Sequence, residues 1–418
     1  MGWVGSKHFL PGLGGEVEIE IDDTSSMSGL INGYREEGTL AEWISKIGKP
    51  ARRNPLSRFL LAASFAAPLL RLLNERPFIV HLYGPSKGGK TAALKAALSA
   101  WGDPSEIMAN FNSTKVGFER MAGFFCDLPM GIDERQVIGD SQKLVDNIVY
   151  ALVQGQGKIR GAKGGGLQAT HKWQTIFLTT GEEPLTVESS REGTKTRALE
   201  LYGRIIEDES MSRRLHHESA KHYGFAGPLF VKKLIEKQAE DKNSVLSEFQ
   251  ETVEALSGAY TDYVSAHITY ISIVTLADYY ISQWIFGETE GAAGSGSIEN
   301  AENIIESLDT QTETSETNRA YEFIHSWFRI NEPYFKGEER QHYGEYDGIE
   351  KILYIYPPIF EDAMKSQGYS PGRVLKDWRN EDRLVITDDG RKRLKVRKWD
   401  YSNNEKSWFI GVKLENGE

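Results

Sequence analysis

The stretch HLYGPSKGGKTAAL, from His81 to Leu94, changes character at its first glycine. An apolar run, FIVHLY, ends there, and a turn of three glycines, a lysine and a threonine leads into an alanine-rich helical pattern. Gly84, Pro85, Ser86, Lys87, Gly88, Gly89, Lys90 and Thr91 fit G-x-x-x-x-G-K-S/T in full. In such a turn successive backbone N–H groups point into one concavity, and the positive end of the next helix adds to their field. Lys90 is then expected to reach the terminal phosphates of ATP and Thr91 to ligate Mg²⁺. The plain alternative is an accidental glycine-rich turn. A strand before the loop and a helix after it favour the phosphate reading.

A phosphate loop needs a carboxylate on the metal side. LPMGIDE ends an apolar segment roughly 40 residues after the loop, a spacing that fits an intervening strand and helix. Asp133 is expected to hold Mg²⁺, directly or through water, and Glu134 to orient and deprotonate the attacking water. Asp-Glu pairs also abound on solvated surfaces, and Gly131 is unusual inside a strand. Next, WQTIFLTTGEEPL reads as a strand ending in Thr179-Thr180. Thr180, in preference to Thr179, is placed to hold the attacking water or sense the γ-phosphate, against the reading of an ordinary strand-end threonine. Arg197, in GTKTRALEL, sits where an arginine from a neighbouring subunit could face the transition state, with the pair Arg213-Arg214 as the alternative.

The order of apolar runs predicts an α/β fold. After FIVHLY and the helix TAALKAALSAW come strand-like IMANF, helical VGFERMAGFF, the strand LPMGID, the helix QKLVDNIVYALVQ and the strand WQTIFLTT. Strands alternating with helices imply a parallel sheet whose carboxyl ends carry the ligand site. Residues 1–76 read as an N-terminal extension packed on the next domain, expected to be incomplete because it begins inside a strand-rich pattern. Residues 77–286 form the ATPase core, with a helical lid beyond Gly203. GETEGAAGSGS opens a small, polar linker or mobile loop over 287–317. Residues 318–418 follow as helices and two strands joined at Asp389-Gly390, a winged-helix pattern.

Composition excludes several classes. The 418 residues suffice for two or three domains, and a single cysteine, Cys126, excludes an intrachain disulfide and fits a reducing cytoplasm. The longest apolar run, FLLAASFAAPLL from Phe59 to Leu70, is too short to cross a membrane and reads as a buried helix. MGWVGS matches a myristoylation pattern but lacks a second anchoring signal, so no membrane partner is expected. No His/Cys cluster has metal-ligand spacing, and His216-His217 reads as part of a solvated helix.

A net charge of −11 argues against overall attraction to nucleic acid, so any contact must be local. No Asp or Glu occurs between Asp146 and Glu182, where GQGKIRGAKGGGLQATHKW suits a hairpin whose tip carries Lys158, Arg160 and Lys163 toward DNA phosphates. RKRLKVRK, Arg391 to Lys398, has six basic residues in eight. There Lys395 and Arg397 alternate with Leu394 and Val396, to grip a duplex or to protect an edge strand from pairing, two readings held even.

With these residues assembled, the chain resembles a family of helicase domains encoded by phages and mobile genetic elements, related to the MCM-like AAA+ replicative helicases. The matching pieces are GWVGSKHFLP, FIVHLYGPSKGGKTAALKAALSAWGDP, LPMGIDE, VYALVQGQGKIRG, FLTTGEEPL, HYGFAGPLF and RAYEFIHSWF. The resemblance implies an AAA+ P-loop NTPase core in a ring, expected to be hexameric, with ATP between subunits. It further implies a pre-sensor hairpin in a central channel holding single-stranded DNA at a forked duplex, and a C-terminal winged helix. Lys90, Thr91, Asp133 and Glu134 carry over, Lys158 and Arg160 become pore-hairpin residues, and Arg197 stands at the arginine-finger position. Two departures stand out: Thr180 replaces the asparagine of many AAA+ proteins, and no sensor-two arginine is evident. The expected activity is that of an ATP-driven DNA helicase in replication of a phage or mobile element. The alternatives are an ATP-switched initiator or helicase loader without processive unwinding, and a protein-remodelling ATPase.

Overall fold

The computed structural model describes residues 2–4, 8–10, 28–85, 87–110, 114–135, 142–158, 170–186, 190, 192–205, 209–308, 316–336, 341–367, 369–386, 394–401 and 403–414. The chain divides into two compact units, Met1–Thr186 with Gly193–Thr310, and Val187–Glu192 with Gln311–Glu418.

In the first unit β1 (Gly2–Val4) and β2 (His8–Leu10) form an antiparallel ribbon. The main sheet contains β3 (Phe78–Tyr83), β4 (Ala109–Asn110), β5 (Met130–Arg135), β6 (Ile176–Gly181) and β7 (Ala198–Tyr202), all parallel, in the order β4-β5-β6-β3-β7. The central strands β3 and β6 are buried along nearly all of their length because both sheet faces are covered, as parallel strands require. Insertion of β6 between β3 and β5 brings three strand ends, Tyr83, Asp133 and Gly181, to one edge of the sheet.

The N-terminal extension supplies part of this unit's core. Helix Pro55–Ala66 starts on Asn54, whose side chain accepts from the backbone N–H of Leu56 at 2.9 Å, and has proline at its first position. Its residues from Phe59 to Ala66 are buried, packed against helices Lys90–Ser99 and Ser265–Trp284. The strand-like alternating segment EVEIEI, residues 16–21 of the extension, lies outside the described residues. Beyond the sheet, helices Ala226–Glu240 and Ser244–Ala259 are separated at Asp241. Among the described residues no helix is long and apolar enough to cross a membrane.

The expected linker is corrected by the structure. Glu290–Ile305 is a helix, capped by the Thr289 side chain, and it belongs to the first unit. Its small residues serve close packing: Ala293 is fully buried, and Gly296 lacks a Cβ where the Arg58 guanidinium lies 3.2 Å from the Cβ position. Arg58 in turn donates to Asp278 at 2.7 Å, on helix Ser265–Trp284, and Arg52 donates to Ser282 and to Glu288.

The second unit has helices Glu316–Asn331, Pro357–Ser366 and Pro371–Asn380 and the strands β8 (Gly344–Asp347), β9 (Ile352–Ile355), β10 (Val396–Asp400) and β11 (Glu405–Lys413). The antiparallel sheet runs β10-β11-β9-β8, and Ile324, Phe360, Trp378, Ile410 and Val412 share its core. This too corrects the expected hairpin. RLVI contributes only a bridge between Leu384 and Val412, and β10 pairs instead with β11. The Asp389-Gly390 turn lies outside the described residues. The reason is the apolar run Trp408–Val412, which occupies the middle of the sheet and bonds to neighbours on both sides.

Removing the Asp278 carboxylate leaves Arg52 and Arg58 in a largely buried setting without it. Asp278→Ala is therefore expected to lower unfolding free energy by about 3–5 kcal/mol in chemical denaturation. The measurement belongs at pH 8, where the carboxyl, pushed up to about 6 by burial against the pull of both arginines, is ionised.

Candidate functional site

The turn between β3 and helix Lys90–Ser99 is built on three residues with left-handed backbone: Gly84 at φ 146°, Lys87 at 60° and Gly89 at 81°. At Gly84 a Cβ would lie 2.8 Å from the Gly203 carbonyl oxygen, so the position takes only glycine without strain. The turn is tied to the segment after β7: Gly203 N–H donates to Tyr83 at 3.0 Å and Ile205 N–H to Gly88 at 3.0 Å. Ser86 lies outside the described residues.

Lys90 folds back over the turn. Its ammonium donates to the carbonyls of Gly84 at 3.0 Å and Pro85 at 2.8 Å. Burial pulls its pKa down, opposed by the nearby carboxylates of Glu182 and Asp133. Asp133, at the carboxyl end of β5, accepts from the Thr91 hydroxyl at 3.2 Å and from the Thr180 hydroxyl. Thr179 turns to the other side of β6, where its hydroxyl meets His81 Nδ1 at 2.7 Å. Glu134 is the next residue of β5, and its side chain lies outside the described residues.

These groups open on a cavity of about 480 Å³, a volume in the small-molecule range. Gly88, Gly89, Lys90 and Thr91 line one wall, and Asp133, Thr180 and Glu182 line the strand ends. Helix Glu209–Ser219, packed on helix Lys90–Ser99, closes the cavity with Ser212, Arg213 and His216. His216 and His217 are both exposed on this helix, as expected, and His216 also borders the cavity. Its Nε2 lies 2.6 Å from the Lys95 ammonium and so accepts; burial, followed by Lys95 and His217, holds its pKa below the usual histidine value. The imidazole is accordingly neutral at pH 7. Arg213 is exposed, 3.5 Å from Glu209, and reaches the cavity of its own chain, whereas Arg214 is exposed without lining it. The three-residue spacing of Arg213 and His216, which puts both on one helical face, was the available sequence signal.

Arg197 stands elsewhere. Its carbonyl accepts from Ile79 N–H at 2.9 Å, at the amino end of β3, so the length of the strand, about 16 Å, separates it from the turn. Lys158 stands at the last described residue before the expected hairpin tip, which lies outside the described residues. It is exposed one residue beyond Gly157, whose N–H donates to His171 at 2.9 Å, next to the bridge between Gln156 and Lys172. Arg160 and Lys163 lie outside the described residues. In the second unit Lys395 is 4.0 Å from Glu361, and Arg397 lies over the Trp408 ring at 6.0 Å.

Comparison with known proteins agrees with this architecture. Residues 1–172 match a family described as "Domain of unknown function (DUF927)", and residues 315–417 match a "Cch helix turn helix domain". The fold is similar to that of a solved structure described as "SCCmec type IV Cch - active helicase", at a TM-score of 0.69 and 16% identity over 91% of this chain and 71% of that one. No curated protein matches the sequence. The chain thus has a mixed α/β fold with a C-terminal region like a helix-turn-helix domain, in the architecture of that structure.

Because Gly84 combines a left-handed φ with a backbone neighbour at 2.8 Å, Gly84→Ala is expected to cost about 2 kcal/mol or more in denaturation. Gly291, a helical glycine with open space around its Cβ position, is the control. Gly291→Ala is expected to be stabilising by about 0.5–1 kcal/mol.

Proposed function

We propose that the chain is an ATP-dependent DNA helicase or translocase of a mobile genetic element, acting as a ring of identical copies. The observation that carries the reading is the convergence of a glycine-built turn, a buried lysine, a hydroxyl and a buried carboxylate on one cavity. The turn's N–H groups and Lys90 suit the β- and γ-phosphates of ATP. The two carbonyls that now hold the ammonium are weaker partners than a phosphate oxygen. Thr91 and Asp133 would hold Mg²⁺, which would supply positive charge to offset that on the transferred phosphoryl group. No group of three or more His, Cys, Asp or Glu able to hold a metal occurs among the described residues.

In this reading water attacks the γ-phosphorus as Glu134 takes its proton, the bond to the β-phosphate oxygen breaks, and ADP is the leaving group. Thr180 orients Asp133 through its hydroxyl and borders the attack path. The separation of Arg197 from its own turn supports a role at a neighbouring copy's site. The name of the structurally similar protein and the helix-turn-helix match support DNA as the polymer acted on. Lys158, Arg160 and Lys163 remain the proposed strand contacts of a channel.

Lys90→Ala is expected to abolish ATP turnover. Glu134→Gln is expected to retain ATP binding while hydrolysis falls about 10²–10⁴-fold, measured by phosphate release and fluorescent-nucleotide titration. Normal turnover in Glu134→Gln removes that residue from its role. Mixing decides the second point. Lys90→Ala and Arg197→Ala chains, each inactive alone, should regain partial activity together, since some interfaces then pair an intact Lys90 with an intact Arg197. No recovery in mixed assemblies removes Arg197 as the residue acting between copies. Strand displacement on forked DNA separates a helicase from a loader, which would bind the fork and unwind nothing.

A further inference from the structure

The hairpin of β10 and β11 carries a pattern outside the proposed catalytic site. In its register Arg397 pairs with Trp408 and Trp399 with Lys406. Cross-strand partners share a face, and side chains alternate along a strand, so these four residues form one checkerboard of two cations and two indoles. All four are exposed, Trp399 at 43% and Trp408 at 39%, and the adjoining Tyr401 is exposed at 78%.

Further along β11, this face holds Ile410 and Val412, fully buried in the unit's core. The core face therefore continues past its cover. The opposite face of the hairpin is already occupied: Val396 and Phe409 are buried, Lys398 lies 3.9 Å above the Tyr354 ring, and Asp400 accepts from Tyr356 at 2.7 Å. None of the four checkerboard residues is acidic, although the chain as a whole carries a charge of −11.

We propose that this face binds single-stranded nucleic acid by stacking bases on Trp399 and Trp408 while Arg397 and Lys406 meet the phosphates. Indoles need open base faces, and a duplex hides those within its stack, so the chemistry selects an unpaired strand. The two tryptophans are diagonal neighbours across the strand pair, about 7 Å apart at their backbone, a step that suits successive bases of an extended strand. Arg397, already over the Trp408 ring, holds that indole in place and supplies positive charge beside it. The proposal rests on the reading of the chain as a DNA-acting ATPase. It adds the strand form and the residues that select it, in place of the duplex grip and the edge protection weighed from sequence.

The test uses the full chain and four labelled probes: an oligothymidylate, a blunt duplex of equal length, heparin and polyglutamate. Replacing Trp399→Ala and Trp408→Ala together should weaken oligothymidylate binding roughly 25-fold or more, with heparin binding unchanged and the melting temperature retained. Trp399→Phe with Trp408→Phe should keep most of the affinity, since a flat ring remains. Arg397→Ala with Lys406→Ala should reduce the salt dependence of oligothymidylate binding by about 1.4 in slope. Unchanged oligothymidylate affinity in the double alanine variant overturns the proposal, as does an equal loss on heparin. Indole-dependent binding of polyglutamate as strong as that of the oligothymidylate also overturns it, in favour of a protein partner. ATP turnover measured alongside tests the broader reading separately. A chain that hydrolyses nothing yet loses the oligothymidylate with its indoles keeps the stacking face and loses the translocase.

Discussion

Two backbone hydrogen bonds, from Gly203 to Tyr83 and from Ile205 to Gly88, fix the turn around which the first unit is arranged. A turn with left-handed residues at Gly84, Lys87 and Gly89 has little intrinsic reason to persist, because glycine loses more backbone freedom on folding than any other residue. The chain beyond β7 supplies that reason by holding the turn from outside. The inner side, with its N–H groups and the start of a ten-residue helix, is thereby left for a ligand. The ammonium of Lys90 caps two carbonyls of the same turn, so the cradle keeps its shape before anything enters it. A preformed site loses less ordering entropy when it binds.

Electrostatics in the cavity follow from the same strand order. Asp133 is nine-tenths buried, yet two hydroxyls, from Thr91 and Thr180, donate to its Oδ1, and the Lys90 charge lies close enough to feel it. The two hydroxyls thereby satisfy a carboxylate oxygen that burial would otherwise leave without partners. The neutral imidazole of His216 and the exposed Arg213 come from a different element, helix Glu209–Ser219, which packs on helix Lys90–Ser99. The acidic balance of the chain does not oppose this chemistry, because what matters is the short-range set of groups at the turn.

The parallel sheet was legible because its strands are short apolar runs punctuated by glycine and polar clusters, and the turn because its spacing is dictated by backbone geometry. What failed to show were features set by tertiary contact. GETEGAAGSGS has the composition of a loose linker, but small residues also let helices pack closely, and composition alone does not separate the two. Asp389-Gly390 is a strong local turn signal, yet the partner of β10 was decided by the core-facing residues Ile410 and Val412. His216 is exposed as expected; what its own helix does not reveal is that Lys90–Ser99 packs beside it and sets it at the cavity. Glycine at position 131, unusual for a strand, is explained by Leu98: its side chain lies 2.4 Å from where a Cβ would stand.

Arg197 poses the last structural question. A parallel sheet has chemically distinct ends, and this one puts the glycine turn at its carboxyl end and the arginine at its amino end. A strand of six residues does not shorten, so no side-chain rotation brings the guanidinium to the cavity of the same chain. Two complementary surfaces at different places on one molecule define a head-to-tail contact, which closes into a ring when the rotation between copies divides a full turn. On the proposed reading, assembly is then part of the chemistry: each copy holds most of a site and lends its arginine to the next. On that reading, hydrolysis at one interface would remove charge that the lent arginine meets and so weaken the grip between two copies.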